Sequence, residues 1–148
     1  METERKLKLL QLFYAGVLAD STGNYERFGI LNKVTEKKSC EQKIMAPGQL
    51  AQLDVNSAEE LFDISSEIFG CIKWETERYP DYLIARGNKC LLCSIAKKMN
   101  TAQPCYIFCI NPFSAMVSEL ESGLDLKVKE TLWNGTQCEF EMRCRQIK

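Results

Sequence analysis

Apolar positions recur at helical spacing through the amino-terminal half of the chain and at strand spacing in two later stretches. Residues 3–19 read as an amphipathic helix. Leu7, Leu10, Tyr14, Val17 and Leu18 fall at i, i+3, i+4 spacing, and Lys6 and Lys8 lie on the other side. Asp20-Ser21-Thr22-Gly23-Asn24 predicts a turn. A second helix is predicted from about Asn24 to Lys38 on the stripe Tyr25, Phe28, Leu31 and Val34. Gly29 weakens it by about 1 kcal/mol relative to Ala. Ala46-Pro47-Gly48 predicts loop or short helical turns across residues 39–55. Ser57-Ala58-Glu59-Glu60 is a capping box, opening a helix that carries Leu61, Ile64 and Ile68 and ends at Gly70.

The period then changes. Ile72, Trp74 and Thr76 alternate with Lys73, Glu75 and Glu77, which predicts a strand over 71–78. Tyr79-Pro80-Asp81 is a turn, and Tyr82 to Ala85 is the partner strand. Cys90 to Met99 reads as a short helix. A further helix runs from Pro104 to about Glu121, with Pro112 kinking or restarting it. Two alternating stretches, 124–131 and 138–144, flank Asn134-Gly135, a strong hairpin signal. The order predicts an α+β fold in one domain, residues 1–148: an antiparallel sheet of about four strands built from two hairpins and covered by a layer of helices.

Composition narrows the chemistry. The 148 residues are 45% hydrophobic and 26% charged, as in an ordinary folded domain. Basic and acidic residues number 19 and 20 and are intermixed, so no nucleic-acid partner is expected. No apolar run is long enough for a membrane span and no signal peptide is recognisable, so a cytoplasmic location with reduced thiols is expected. Asn134-Gly135-Thr136 fits a glycosylation sequon, but in that setting it is read as a turn. Histidine is absent, which removes histidine bases, histidine-activated nucleophiles and histidine metal ligands within the chain.

Cysteine is abundant: there are eight, and four lie in one stretch as Cys90-Leu-Leu-Cys93 and Cys105-Tyr-Ile-Phe-Cys109. Either spacing puts both thiols of a pair on one helix face. If the pairs converge across the bend at Asn100 to Pro104, then Cys90, Cys93, Cys105 and Cys109 form a candidate metal site, for zinc first and an iron–sulfur cluster second. The competing readings are buried core thiols and a Cys-x-x-Cys redox pair, although no thioredoxin-like βαβ pattern surrounds it. Trp74, Phe108, Phe113 and Met116 are candidates to line an apolar ligand pocket between the last helices and the sheet.

The segment Glu130-Thr131-Leu132-Trp133-Asn134-Gly135-Thr136-Gln137-Cys138-Glu139-Phe140 resembles the closing motif of the 4-vinyl reductase type domain. It is also similar to the ending of the L-2-amino-thiazoline-4-carboxylic acid hydrolase-like family. Gln103-Pro104-Cys105 resembles the proline-cysteine pair that opens the last helix in both groups. The resemblance covers roughly residues 74–143. It implies the ligand-binding fold shared with nitric-oxide-sensing haem domains and with subunits of the TRAPP vesicle-tethering complex. In several relatives an apolar ligand lies between helices and sheet. One departure is Trp133, which stands where the 4-vinyl reductase pattern carries another cysteine, and this favours the hydrolase-like branch.

The expected function is small-molecule binding or sensing, with an apolar or sulfur-containing ligand. The alternative implied by the resemblance is a hydrolase opening a thiazoline-type cyclic amidine, with Cys105 or Cys138 as nucleophile assisted by Glu75 or Glu130. A third reading is an interaction protein that forms a homodimer through its helical layer, as TRAPP-like subunits do.

Overall fold

A computed structural model describes residues 1–145. The elements are α1 (Thr3–Arg27), α2 (Leu31–Leu53), α3 (Ala58–Phe69), β1 (Glu75–Arg78), β2 (Tyr82–Gly87), α4 (Leu91–Lys98), a π-helical turn (Tyr106–Ile110), α5 (Asn111–Leu120), β3 (Leu124–Glu130) and β4 (Cys138–Cys144). The fold is α+β. Its sheet is antiparallel in the order β1-β2-β4-β3, so the two hairpins join through their second strands, with Ala85 opposite Phe140. Among the described residues, no helix is long and apolar enough to cross a membrane.

The sheet has two unlike faces. Cys138, Phe140 and Met142 of β4 and Leu83 and Ala85 of β2 turn inward and are buried. The intervening residues carry charge on the other face, where Arg86 donates to Glu139 at 2.8 Å and Lys129 pairs with Glu141 at 3.5 Å. Helices cover the inner face. Phe62 of α3 stacks on Phe113 of α5 with centroids 4.6 Å apart, and Trp74 meets Phe62 at 5.1 Å and Phe140 at 5.0 Å. These rings tie four parts of the chain into one core.

The amino-terminal helices depart from the predicted pattern. The expected turn at 20–24 is continuous helix. Thr22 is fully buried and its hydroxyl donates to the Leu18 carbonyl at 2.9 Å, while Ala19 packs against Leu92 and Ala96. Gly23 serves close approach here, since a Cβ would meet Thr101 Cγ2 at 2.9 Å. The chain turns at Gly29 instead, where φ is +72°. Pro47, expected in a loop or short helical turns, lies inside the long helix α2 between buried Ala46 and Leu50. Packing of that face against α5 outweighs the single backbone bond proline removes.

Most of the apolar stripe of α1 faces outward, while Leu18 is half-buried against Leu92 and Ala96 and Tyr14 stacks on Phe69. Leu10, Phe13 and Val17 are 66%, 69% and 61% exposed, and Leu7 and Tyr14 beside them are exposed too. The inward face is Gln11, Ala15, Ala19 and Thr22. Gln11 caps α3, its Nε2 donating to the carbonyls of Glu67 and Ile68 at 2.9 and 3.1 Å. This use of Gln11 and two alanines turns the larger apolar side chains to solvent.

Two smaller differences concern the strands. β1 is only four residues, because Trp74 N–H is bound by Ser66 Oγ at 2.9 Å before the ladder begins. The Asn134-Gly135 signal marks a longer loop, not a two-residue turn. There the Glu130 carboxylate accepts from the amides of Thr136 and Gln137 at 2.7 and 3.0 Å. Those donors hold Glu130 below the usual carboxylate range.

Truncating the central ring tests this core. Phe62→Ala is expected to cost about 3–5 kcal/mol. It should appear as a lower urea midpoint with an unchanged slope. A loss below about 1 kcal/mol would show that the rings do not hold the layers together.

Candidate functional site

A cavity of about 550 Å³ lies within the helical layer. Trp74, Phe108, Phe113 and Met116 all line it, together with the thiols Cys71, Cys90 and Cys109. Its position differs from the expected cleft between helices and sheet: no strand residue reaches it. The aromatic core fills the space over the sheet, so the free volume lies on the far side of Trp74 and Phe113, walled by all five α-helices.

One wall is built by an irregular piece of backbone. Tyr106–Ile110 winds as a π-helix, and Phe108 and Cys109 on it face the cavity. The cause is local. Asn111 N–H bonds the Tyr106 carbonyl, so the next partner of the Ile107 carbonyl would be residue 112, a proline without an N–H. Gln42 of α2 supplies the missing donor, its Nε2 reaching the Ile107 carbonyl at 3.0 Å. That bond leaves Gln42 Oε1 buried without a partner at the cavity wall. Ser65, 6% exposed, and Lys38 are further polar groups of the lining.

The thiols gather in one place. Cys71, Cys90, Cys93, Cys105, Cys109 and Cys138 belong to one packed interior, while Cys40 and Cys144 are exposed. Cys90 is the N-cap of α4, and its Sγ accepts from the Cys93 amide at 3.4 Å. Cys93 Sγ sits 3.5 Å from Cys105 Sγ, and the Cys93 backbone amide is what contacts Cys90. The bend at Asn100 therefore brings the two predicted pairs together. Cys109 is enclosed by protein but keeps surface on the cavity.

Their electrostatics differ. The neighbouring Cys93 thiol lowers Cys90 to about 7 against the opposing effect of burial, helped by the Cys93 and Leu92 amides and the Lys97 charge. Its sulfur neighbours, Cys105 and Cys90, hold the Cys93 proton tightly and push that thiol up. The Cys93 thiol, with Gln103, also lowers Cys105. Burial pushes Cys71 and Cys138 up to about 11, and Cys109 well above the ordinary thiol value.

These positions bear on each candidate. A tetrahedral zinc–thiolate centre places sulfurs about 3.8 Å apart, from Zn–S bonds of about 2.3 Å. The Cys93–Cys105 spacing is close to one edge of such a tetrahedron. Among the described residues, however, no three Cys, Asp or Glu side chains group closely enough to hold a metal ion. For a nucleophile, Cys105 is not among the cavity lining, and Cys138 is a buried thiol whose Sγ accepts the Leu132 amide at 3.3 Å. Glu130 is occupied by its loop, and Glu75 begins β1 on an exposed edge. These carboxylates and thiols do not surround a common space. Cys90 as a cavity-facing thiol of lowered pKa was not singled out from the sequence; its Cys-x-x-Cys position at a helix start is the signal that marks it.

The sequence matches no known family model and no curated protein. What the chain does is therefore read from the cavity and its thiols.

Cys90 should titrate apart from the other thiols. With Cys40→Ser and Cys144→Ser in place, its alkylation rate, followed by peptide mass mapping, should rise through a midpoint near pH 7. Because a neighbouring cation favours the thiolate, Lys97→Ala should move that midpoint upward. A midpoint at the ordinary value of about 8.5 would refute the assignment. Cys71 and Cys138 carry the opposite sign: their raised pKa stabilises the fold below pH 9, and that contribution is lost as pH climbs from 9 towards 11.

Proposed function

We propose that the chain is a small-molecule-binding domain that takes an apolar ligand with a polar end into the cavity within its helical layer. One observation carries this reading: a space of about 550 Å³ is kept open beside a close-packed core and lined by Trp74, Phe108, Phe113 and Met116. Its size lies in the range of about 300–1,000 Å³ found for ligand sites. The space opens to solvent past Tyr14, Met45 and Phe69, so a ligand can enter without unfolding the core. The polar groups of the lining, Ser65, Lys38 and the Gln42 side chain, favour a ligand with a polar end. The π-helical turn points the same way, since such irregularities are frequent at functional sites.

The test is direct. A neutral naphthylamine dye should bind with quenching of Trp74 emission. Met116→Trp, which fills the space, should weaken binding at least about ten-fold, or about 1.4 kcal/mol. Undiminished binding by that variant, or no binding by the wild type, would overturn the reading. Native mass spectrometry of freshly purified protein gives an independent check on a retained ligand.

A second reading concerns partners: a homodimer through α1. Leu7, Leu10, Phe13, Tyr14 and Val17 present on the order of 500 Å² of apolar surface, near the upper end for a monomer. Antiparallel pairing of two copies about Phe13 would bury roughly 1,000 Å², enough for a specific interface. Lys6, expected on the opposite side, falls with Asp20 on the face of Phe13, each seven residues from it and exposed, so each would meet its opposite charge on the other copy. Light scattering should give twice the chain mass, and Phe13→Glu should return it to one with the dye site intact. A monomeric wild type at micromolar concentration would remove the reading.

A further inference from the structure

Three thiols run from the cavity wall into the packed interior. Cys90 lies on the wall, Cys93 one helical turn behind it, and Cys105 beyond that at 3.5 Å from Cys93. The binding reading uses the wall but not the thiols behind it. Cys90 and Cys93 occupy the cap and first turn of α4, where free backbone amides stabilise a thiolate on the first sulfur. The Cys93 side chain is buried and does not line the cavity. It sits on the turn that Cys90 caps, with its amide 3.4 Å from Cys90 Sγ, so a side-chain rotation can bring it to that sulfur without its meeting a ligand first. A Cys-x-x-Cys pair with one accessible and one enclosed thiol is the arrangement that disulfide exchange needs, whatever fold carries it.

We propose that Cys90 and Cys93 form a reactive dithiol that reduces an organic disulfide admitted to the cavity, with Cys90 as the attacking thiol and Cys93 as the resolving thiol. The proposal rests on the cavity being a binding site. The Cys90 thiolate attacks one sulfur of the bound disulfide, forms a Cys90–S–S–R bond and expels RS⁻, which takes a proton from solvent. Cys93 then gives up its proton and attacks Cys90 Sγ. The mixed disulfide breaks, the Cys90–Cys93 disulfide forms, and the second thiolate leaves with the Cys93 proton. The protein dithiol is oxidised by two electrons, and the ligand is reduced to two thiols. Cys90 at the cavity wall and Cys93 enclosed behind it fit this division of roles. Cys105 does not line the cavity and acts as a positioning residue that holds Cys93 by its Sγ contact.

The experiment uses the full chain, reduced, with Cys40→Ser and Cys144→Ser, and dithiodipyridine as the aromatic disulfide. Two thiones should be released per chain, leaving a disulfide that maps to Cys90 and Cys93. Cys93→Ser should release one thione and retain the mixed disulfide on Cys90. Cys90→Ser should slow release at least about ten-fold. Circular dichroism establishes that each variant is folded. A disulfide mapping elsewhere, an unslowed Cys90→Ser protein, or no trapped adduct in Cys93→Ser would overturn the proposal. Bound zinc that prevents thione release until a chelator is added would also overturn it, assigning these thiols to a metal. Dye binding measured on the same samples separates the two readings. Dye bound without thione release overturns the dithiol and leaves the binding site. Thione release that Met116→Trp does not slow overturns entry through the cavity.

Discussion

The contact among Phe62, Trp74, Phe113 and Phe140 is the constraint on which the rest of the molecule depends. The four rings come from α3, the segment before β1, α5 and β4, and their centroids lie between 4.6 and 6.5 Å apart. Such separations suit stacked and edge-on aromatic packing, which adds to the burial of large apolar area. The cluster sets how closely the helices approach the sheet and fills the space a sheet-side ligand would need. Two of its members, Trp74 and Phe113, turn their other surface to the cavity. The cavity thus has one rigid wall that belongs to the core.

The opposite walls are held by polar bonds. Pro112 leaves the Ile107 carbonyl without a helical donor, and Gln42 answers it from α2. This single bond ties the π-helical turn to α2 and fixes Phe108 and Cys109 at the cavity. Near the other end Gln11 caps α3 from α1, joining the outermost helix to the layer at two carbonyls. Two glutamines, Gln42 and Gln11, are therefore joints of the helical layer. Gln11 also decides which face of α1 looks inward.

The interior holds thiols from four stretches of the chain, and burial first, with mutual repulsion among their charged forms added to it, shapes its chemistry. Each thiolate raises the proton affinity of the others, as at Cys109, which feels Cys90, Cys105, Cys138 and Cys71. Negative charge is favoured where hydrogen-bond donors support it, at Cys90 beside the free amides of α4 and at Cys105 beside Cys93 and Gln103. Of those two, Cys90 is the one on the cavity wall.

Local patterns determined much of this protein. Alternation marked both hairpins and the inward face of β4 with Cys138 and Phe140, because a strand buried on one face must repeat every second residue. The Ser57 cap, the Gly70 stop and the restart at Pro112 were legible because each acts within one turn of backbone. The residues Trp74, Phe108, Phe113 and Met116 were legible as large apolar groups near the cysteines, though not which space they share. Tertiary structure alone decided that Asp20 to Asn24 stays helical, that Pro47 is held in α2 and that most of the apolar stripe of α1 faces out. It also decided that the cavity opens among helices and that Cys90 lies on its wall. These outcomes turn on contacts between residues far apart in the chain, such as Gln11 with Glu67 and Gln42 with Ile107, whose energies exceed the local preferences they override.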